Sequence, residues 1–142
     1  MFRTLTDDVL VAPQIGVEAV AEAAGQGVTL IVNNRPEGEA DDQTPGDEIE
    51  KAAHAAGLDY VAIPITQSGY SQPQVEAMVA ALEKADGKVL AYCRSGTRST
   101  LLWALAEASQ GSDPDGLTEV AANAGYDLSP VRPLMDMLQA QA

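Results

Sequence analysis

The segment Val89-Leu90-Ala91-Tyr92-Cys93-Arg94-Ser95-Gly96-Thr97-Arg98-Ser99 places an apolar run directly before the only cysteine of the chain. The run from Val89 to Tyr92 suits a buried strand, and Leu101, Leu102, Leu105 and Ala106 give the following segment the apolar face of a helix. Between them the backbone turns sharply at Ser95-Gly96, because glycine tolerates positive φ. A loop that leaves a strand and enters a helix in this way aims successive N–H groups inward and forms a cradle for an anion. A thiolate is itself an anion and gains from the same donors. Arg94 and Arg98 add positive charge, and Ser99 is placed to donate to the sulfur. Cys93 is thus expected to be a nucleophile, with Arg98 beside it as a catalytic cation. Arg94, Ser95, Gly96, Thr97 and Ser99 are expected to bind the anionic partner. An inert buried cysteine is the plainer alternative, but the order strand, Cys, Gly, Arg, helix argues against it.

Working outward, further apolar runs suited to strands lie at Val9 to Ala12, Val28 to Val32 and Tyr60 to Ile63. Helical stripes alternate with them. Val17, Val20, Ala21 and Ala24 form one, ending before Gly25. Thr44-Pro45 with Asp47 and Glu48 predicts a capping box opening a second helix, which carries Ile49, Ala52, Ala53 and Ala56 and stops at Gly57. Ser71 with Gln74 caps a third, bearing Val75, Met78, Val79 and Leu82. Asp113-Pro114 starts a helix through Leu117, Val120, Ala121 and Ala124, and Ser129-Pro130 starts the last, through Val131, Leu134, Met135 and Leu138. The expected fold is α/β in three layers: a mainly parallel four-stranded sheet with helices on both faces. Ligands of such sheets bind beyond the carboxyl ends of the strands. That rule gathers Asn33-Asn34-Arg35-Pro36, Thr66-Gln67-Ser68-Gly69-Tyr70 and the cysteine loop on one rim. The long irregular segment Asn33 to Gly46, rich in Gly, Pro and carboxylates, is marked as functional by its length.

At 142 residues, a single domain spanning 1–142 is expected. The formal net charge of −13 repels phosphate backbones and anionic headgroups, so neither nucleic acid nor membrane is an expected partner. An anionic substrate needs a local positive cluster to enter. The N-terminus lacks the apolar stretch of a signal peptide, and a cytoplasmic protein is expected. With one Cys and one His, no structural zinc site and no other metal or cofactor is expected. The acidic run from Glu37 to Asp47 lacks the spacing of a 12-residue calcium loop. His54, four residues after Glu50, is expected on the surface, and Trp103 in the core. Tyr70 fits a pocket wall and a packed loop anchor equally well.

Cys93-Arg94-Ser95-Gly96-Thr97-Arg98-Ser99 resembles the active-site loop of rhodaneses, the thiosulfate sulfurtransferases. The rest of the chain does not. In place of a further strand and a Gly-Gly…Trp segment after the loop helix, two more helices follow. That arrangement resembles the cysteine-phosphatase fold, specifically the dual-specificity phosphatases. Together with Asn33-Asn34-Arg35-Pro36-Glu37-Gly38-Glu39, the combination resembles a family of bacterial phosphatase-fold sulfurtransferases, over nearly the whole chain from Phe2 to about Leu134. Such domains also occur fused to metallo-β-lactamase-like hydrolases, some of which oxidise persulfides.

The resemblance implies sulfur transfer. Cys93 would take the outer sulfur of thiosulfate or a persulfide and pass it to a thiol or cyanide acceptor. A persulfide-oxidising hydrolase is then a possible partner. Phosphatases of this fold have five residues between Cys and Arg; this chain has four, which predicts a tighter pocket. They also use a loop aspartate to protonate the leaving oxygen, whereas no carboxylate lies between Val61 and Val75. Glu37, Glu39, Asp41 and Asp42 on the long loop are the substitutes to consider. Arg35 is expected either at the rim, as a substrate-binding charge, or in solvent. The alternatives are a cysteine-dependent phosphatase for phosphotyrosine or small phosphate esters, and a non-catalytic thiol-redox sensor.

Overall fold

A computed structural model describes residues 1–142. The parallel strands form where the apolar runs predict them: β2 at Val9–Ala12, β3 at Val28–Asn33, β4 at Asp59–Ala62 and β5 at Lys88–Tyr92. A strand the sequence does not advertise, β1 at Arg3–Thr6, pairs antiparallel with β2. The sheet therefore has five strands rather than four, in the order β1-β2-β5-β3-β4. Residues of β1 are half exposed and only Leu5 is buried, so β1 carries almost none of the apolar signal of an inner strand.

Helices cover both faces, as a parallel sheet requires. On one side α1 (Val17–Gly25) and α2 (Gly46–Ala55) pack over Leu10, Ile31, Leu90 and Tyr92. On the other, α3 (Gln72–Lys84), α4 (Thr97–Ser109), α5 (Pro114–Asn123) and α6 (Arg132–Ala140) enclose the larger core around Val11, Val32, Ala91, Leu102 and Met135. Helix α4 is buried nearly all round, and Trp103 is core, as expected. No helix is long and apolar enough to cross a membrane.

Two helix starts depart from expectation. The capping box at α3 forms, with Ser71 Oγ accepting from Gln74 N and the Gln74 side chain accepting from Ser71 N. At α2 Thr44 does not cap. Glu37 Oε1 accepts from Gly46 N at 2.9 Å instead, so a carboxylate from the long loop satisfies the helix end and ties that loop down. The last helix is preceded by a separate 3-10 turn at Ser129–Val131, where Asp127 accepts from both the N–H and the hydroxyl of Ser129.

Candidate active site

The carboxyl ends of β2, β5, β3 and β4 converge on Cys93. Its N–H donates to Ala12 O at 3.4 Å, and the residue is completely buried. The chain then leaves the sheet through Arg94 and Ser95, and Gly96 sits at the head of α4 with φ +90. Gly96 N–H donates to Cys93 Sγ at 3.1 Å, giving the sulfur one backbone donor from the loop. Thr100 Oγ1 donates to Gly96 O at 2.8 Å, and Ser95 Oγ to Thr97 Oγ1 at 3.0 Å, so the loop is braced by its own hydroxyls. Position 96 admits no side chain, because a Cβ there would collide with the Tyr126 hydroxyl.

The three expected rim segments do meet. Asn34 is fully buried: its N–H donates to Tyr92 O at 2.8 Å and its side-chain nitrogen to Ile63 O at 2.9 Å. Ser99 Oγ donates to Asn34 Oδ1 at 2.7 Å. The expectation that Ser99 donates to the sulfur is thereby corrected: its one proton goes to Asn34, locking the Asn33–Pro36 segment to the first turn of α4.

Arg98 points into the site from that same turn. Nη1 donates to Ile65 O at 2.8 Å and to Glu39 Oε2 at 2.9 Å, and Nη2 donates to Glu39 Oε1 at 2.8 Å. Glu39 Oε1 also accepts from Arg35 Nε at 2.9 Å, and Arg35 Nη1 donates to Gln14 Oε1 at 3.0 Å. One carboxylate therefore bridges two arginines. Arg35 is neither a solvated loop arginine nor a free charge at the rim: it is buried, and both bonds hold it inside the network. Arg94 is exposed and pairs with no carboxylate, which leaves its charge at the mouth of the site.

Hydrogen bonds from Arg98, partly opposed by desolvation and reinforced by Arg35, hold the Glu39 carboxyl at about 2. Glu39 is thus ionised at any ordinary pH and cannot serve as the proton donor that the long loop was considered to supply. Because its pKa is depressed on folding, the stabilisation from this bridge is complete above about pH 4.5 and fades as pH falls toward about 2. Glu39→Gln is expected to lower the melting temperature at neutral pH. The gap to the parent protein should close through that acid window, as read by thermal melts at stepped pH; a gap independent of pH would contradict the ionic origin.

Around the thiol stand three titratable side chains. Cys93 contributes to the raised pKa of Arg98, behind the hydrogen bonds that Arg98 donates to Glu39. Burial pushes the Tyr70 phenol up to about 12, with the Cys93 charge adding to it, so Tyr70 stays protonated beside the sulfur. Tyr126 is raised mainly by burial, with a smaller contribution from Cys93. Gln67 and Ser68 are exposed in the turn closed by the Thr66–Gly69 bridge, and no carboxylate accompanies them. His54 is exposed on the last turn of α2, with no hydrogen bond to Glu50. Gln14 and Tyr126 are site residues that the sequence alone did not single out; Asn34 is expected on the rim, and Glu39 is expected as a candidate acid rather than as a bridge between two arginines. Gln14 was within reach of the strand-end rule, since it follows β2, another parallel strand ending on this rim.

The family described as beta-lactamase hydrolase-like protein, phosphatase-like domain, matches residues 1–110. A beta-lactamase hydrolase-like protein of Agrobacterium fabrum is 32% identical over 126 residues, which are 87% of this chain and 29% of that protein. The chain thus spans less than a third of that relative's length. Among solved structures, a Neisseria meningitidis protein described as a "putative phosphatase" is 29% identical, with a TM-score of 0.83 and 96% of each chain covered. Tk-PTP in its active form has a TM-score of 0.76 at 19% identity, covering 99% of this chain and 97% of that one, and shows the protein-tyrosine-phosphatase-like fold. None of these relatives carries a sulfurtransferase name; the names side with the phosphatase alternative. The family match over most of the chain, together with the strand–Cys loop–helix site, shows that the chain belongs to the beta-lactamase hydrolase-like protein, phosphatase-like domain family.

Proposed function

We propose that the chain is a cysteine-dependent phosphatase for small or aryl phosphate monoesters. The observation that carries this is the donation of Gly96 N–H to Cys93 Sγ with Arg98 at the same helix start, in a phosphatase fold. In the reaction, the Cys93 thiolate attacks phosphorus and the ester P–O bond breaks. The loop N–H groups and Arg98 bind the phosphoryl oxygens, while Arg94 attracts the dianion to the mouth of an otherwise acidic protein. The leaving oxygen takes its proton from solvent. Water then cleaves the Cys93 S–P bond, releasing phosphate and restoring the thiolate. With Glu39 ionised and Glu37 bound at the start of α2, neither can protonate the leaving oxygen, and esters with acidic leaving groups such as phenols are favoured over alkyl esters.

Sulfur transfer is a second reading, and one specific observation favours it. The loop holds four residues between Cys93 and Arg98, and the Thr66–Gly69 turn on the rim carries no carboxylate for a leaving oxygen. Thiosulfate needs none. The thiolate attacks the outer sulfur, the S–S bond breaks and sulfite departs, leaving a Cys93 persulfide. A thiol or cyanide acceptor then takes that sulfur and frees the thiolate. Under this reading a persulfide-oxidising hydrolase is the partner to look for.

Parallel assays separate the two. Hydrolysis of p-nitrophenyl phosphate that exceeds thiocyanate formation from thiosulfate and cyanide is the expected outcome. Thiocyanate formation with no phosphate release would overturn the phosphatase proposal in favour of sulfur transfer. Inactivity in both assays, with reversible oxidation of Cys93, would favour the redox sensor.

A further inference from the structure

Beyond the residues that ring the anion site, Tyr126 reaches the cysteine loop from the turn after α5, outside the segment matched by the family. Its hydroxyl donates to Ser95 O at 3.1 Å. That carbonyl and the N–H of Gly96 belong to one peptide unit. All peptide bonds here are trans, so in a planar unit the two groups point in opposite directions. Holding the Ser95 carbonyl toward Tyr126 therefore turns the Gly96 N–H toward Cys93 Sγ, where it donates at 3.1 Å.

The glycine also makes this a peptide that can turn over. Gly96 has φ +90, and glycine accepts either sign of φ at little cost. Turned over, the unit would aim its carbonyl oxygen at the sulfur and remove the donor. Tyr126 itself is fixed from behind. Arg3, on β1, lies over its ring at 5.3 Å from the centroid, and Arg3 Nη1 donates to Ala124 O at 2.8 Å. Tyr126 N–H donates to Ala121 O at 2.9 Å. The edge strand and the C-terminal helices thus support one hydroxyl under the loop.

We propose that Tyr126 is a positioning residue that locks the Ser95–Gly96 peptide in the orientation giving Cys93 its backbone donor. The proposal rests on Cys93 acting as the nucleophile, but it needs no particular substrate. Tyr126→Phe tests it, because the ring under Arg3 remains and only the hydroxyl is lost. With a single cysteine in the chain, the pH profile of iodoacetamide alkylation reports Cys93 alone. The midpoint reads thiolate stabilisation, and the plateau rate reads access. The other charged and titratable groups facing the thiol, Arg98 and Tyr70, are unchanged by the substitution.

The midpoint is expected to rise by about one pH unit, a roughly tenfold smaller thiolate fraction at pH values below both midpoints, with an unaltered melting temperature. A folded Y126F with an unmoved midpoint would overturn the proposal. So would a Y126F that fails to fold, since the hydroxyl would then serve the fold rather than the loop. Failure of the phosphatase proposal would show in the turnover assays and leave this profile untouched, which keeps the two claims separable.

Discussion

Cys93→Ser is expected to abolish turnover in every assay while leaving the melting temperature within a few degrees of the parent. Cys93 is fully buried and its replacement is nearly isosteric, so the packing at the end of β5 survives. The hydroxyl of serine stays protonated at neutral pH and its oxygen is a far weaker nucleophile than a thiolate. Gly96 N–H can still donate to the serine oxygen, so the loop retains its shape. Turnover remaining at more than a trace of the parent level, measured on protein free of contaminating hydrolase, would remove Cys93 from the reaction. The same variant should still bind inorganic phosphate, because the donors that cradle the anion are intact.

Arg98→Ala is expected to reduce kcat/KM by about 10²- to 10³-fold, the range for losing one preorganised electrostatic donor at a developing charge. A smaller effect on stability accompanies it, since Glu39 keeps Arg35 but Ile65 O loses its donor. Arg98→Lys separates charge from geometry. Lysine keeps the charge but cannot reproduce the forked contacts to Glu39 and Ile65, so only partial recovery is expected. Arg94→Ala should be milder by comparison, because the Arg94 side chain is exposed and unbonded, and its carbonyl, which accepts from Gln14 N at 3.3 Å, is retained. Steady-state kinetics of the three variants check this order. Equal losses for Arg94→Ala and Arg98→Ala would show that only bulk positive charge matters.

Much of this architecture is legible from local pattern. Val9–Ala12, Val28–Val32 and Val89–Tyr92 are apolar because both faces of a parallel sheet are covered, and each is a strand in the structure. Strand β1 is not legible, because an edge strand of four residues with one buried side chain carries no comparable pattern. The cysteine loop is legible as well: glycine at 96 is demanded by its φ and by the nearby Tyr126 hydroxyl.

What local pattern does not supply is the partner of each polar side chain. Ser99 lies in the first turn of α4, yet the register of that helix against β3 aims it at Asn34 rather than at the sulfur. Glu39 sits in an irregular loop, and only the folded path of Asn33 to Gly46 brings it between Arg35 and Arg98. Thr44 has the residue type of a cap, but Glu37 reaches Gly46 first. Tyr126 has no motif at all; its role follows from a turn that returns the chain beneath residues 95 and 96.

In the proposed reaction Cys93 carries the transferred group as a covalent phosphoryl adduct. Acid-quenching the enzyme during p-nitrophenyl phosphate turnover and measuring the mass of the peptide that contains Cys93 detects that adduct. The peptide is expected to gain one phosphoryl group, and the gain to be lost in Cys93→Ser. An unmodified peptide during steady turnover, or a peptide that instead gains one sulfur atom from thiosulfate and never a phosphoryl group, would contradict the proposed reaction.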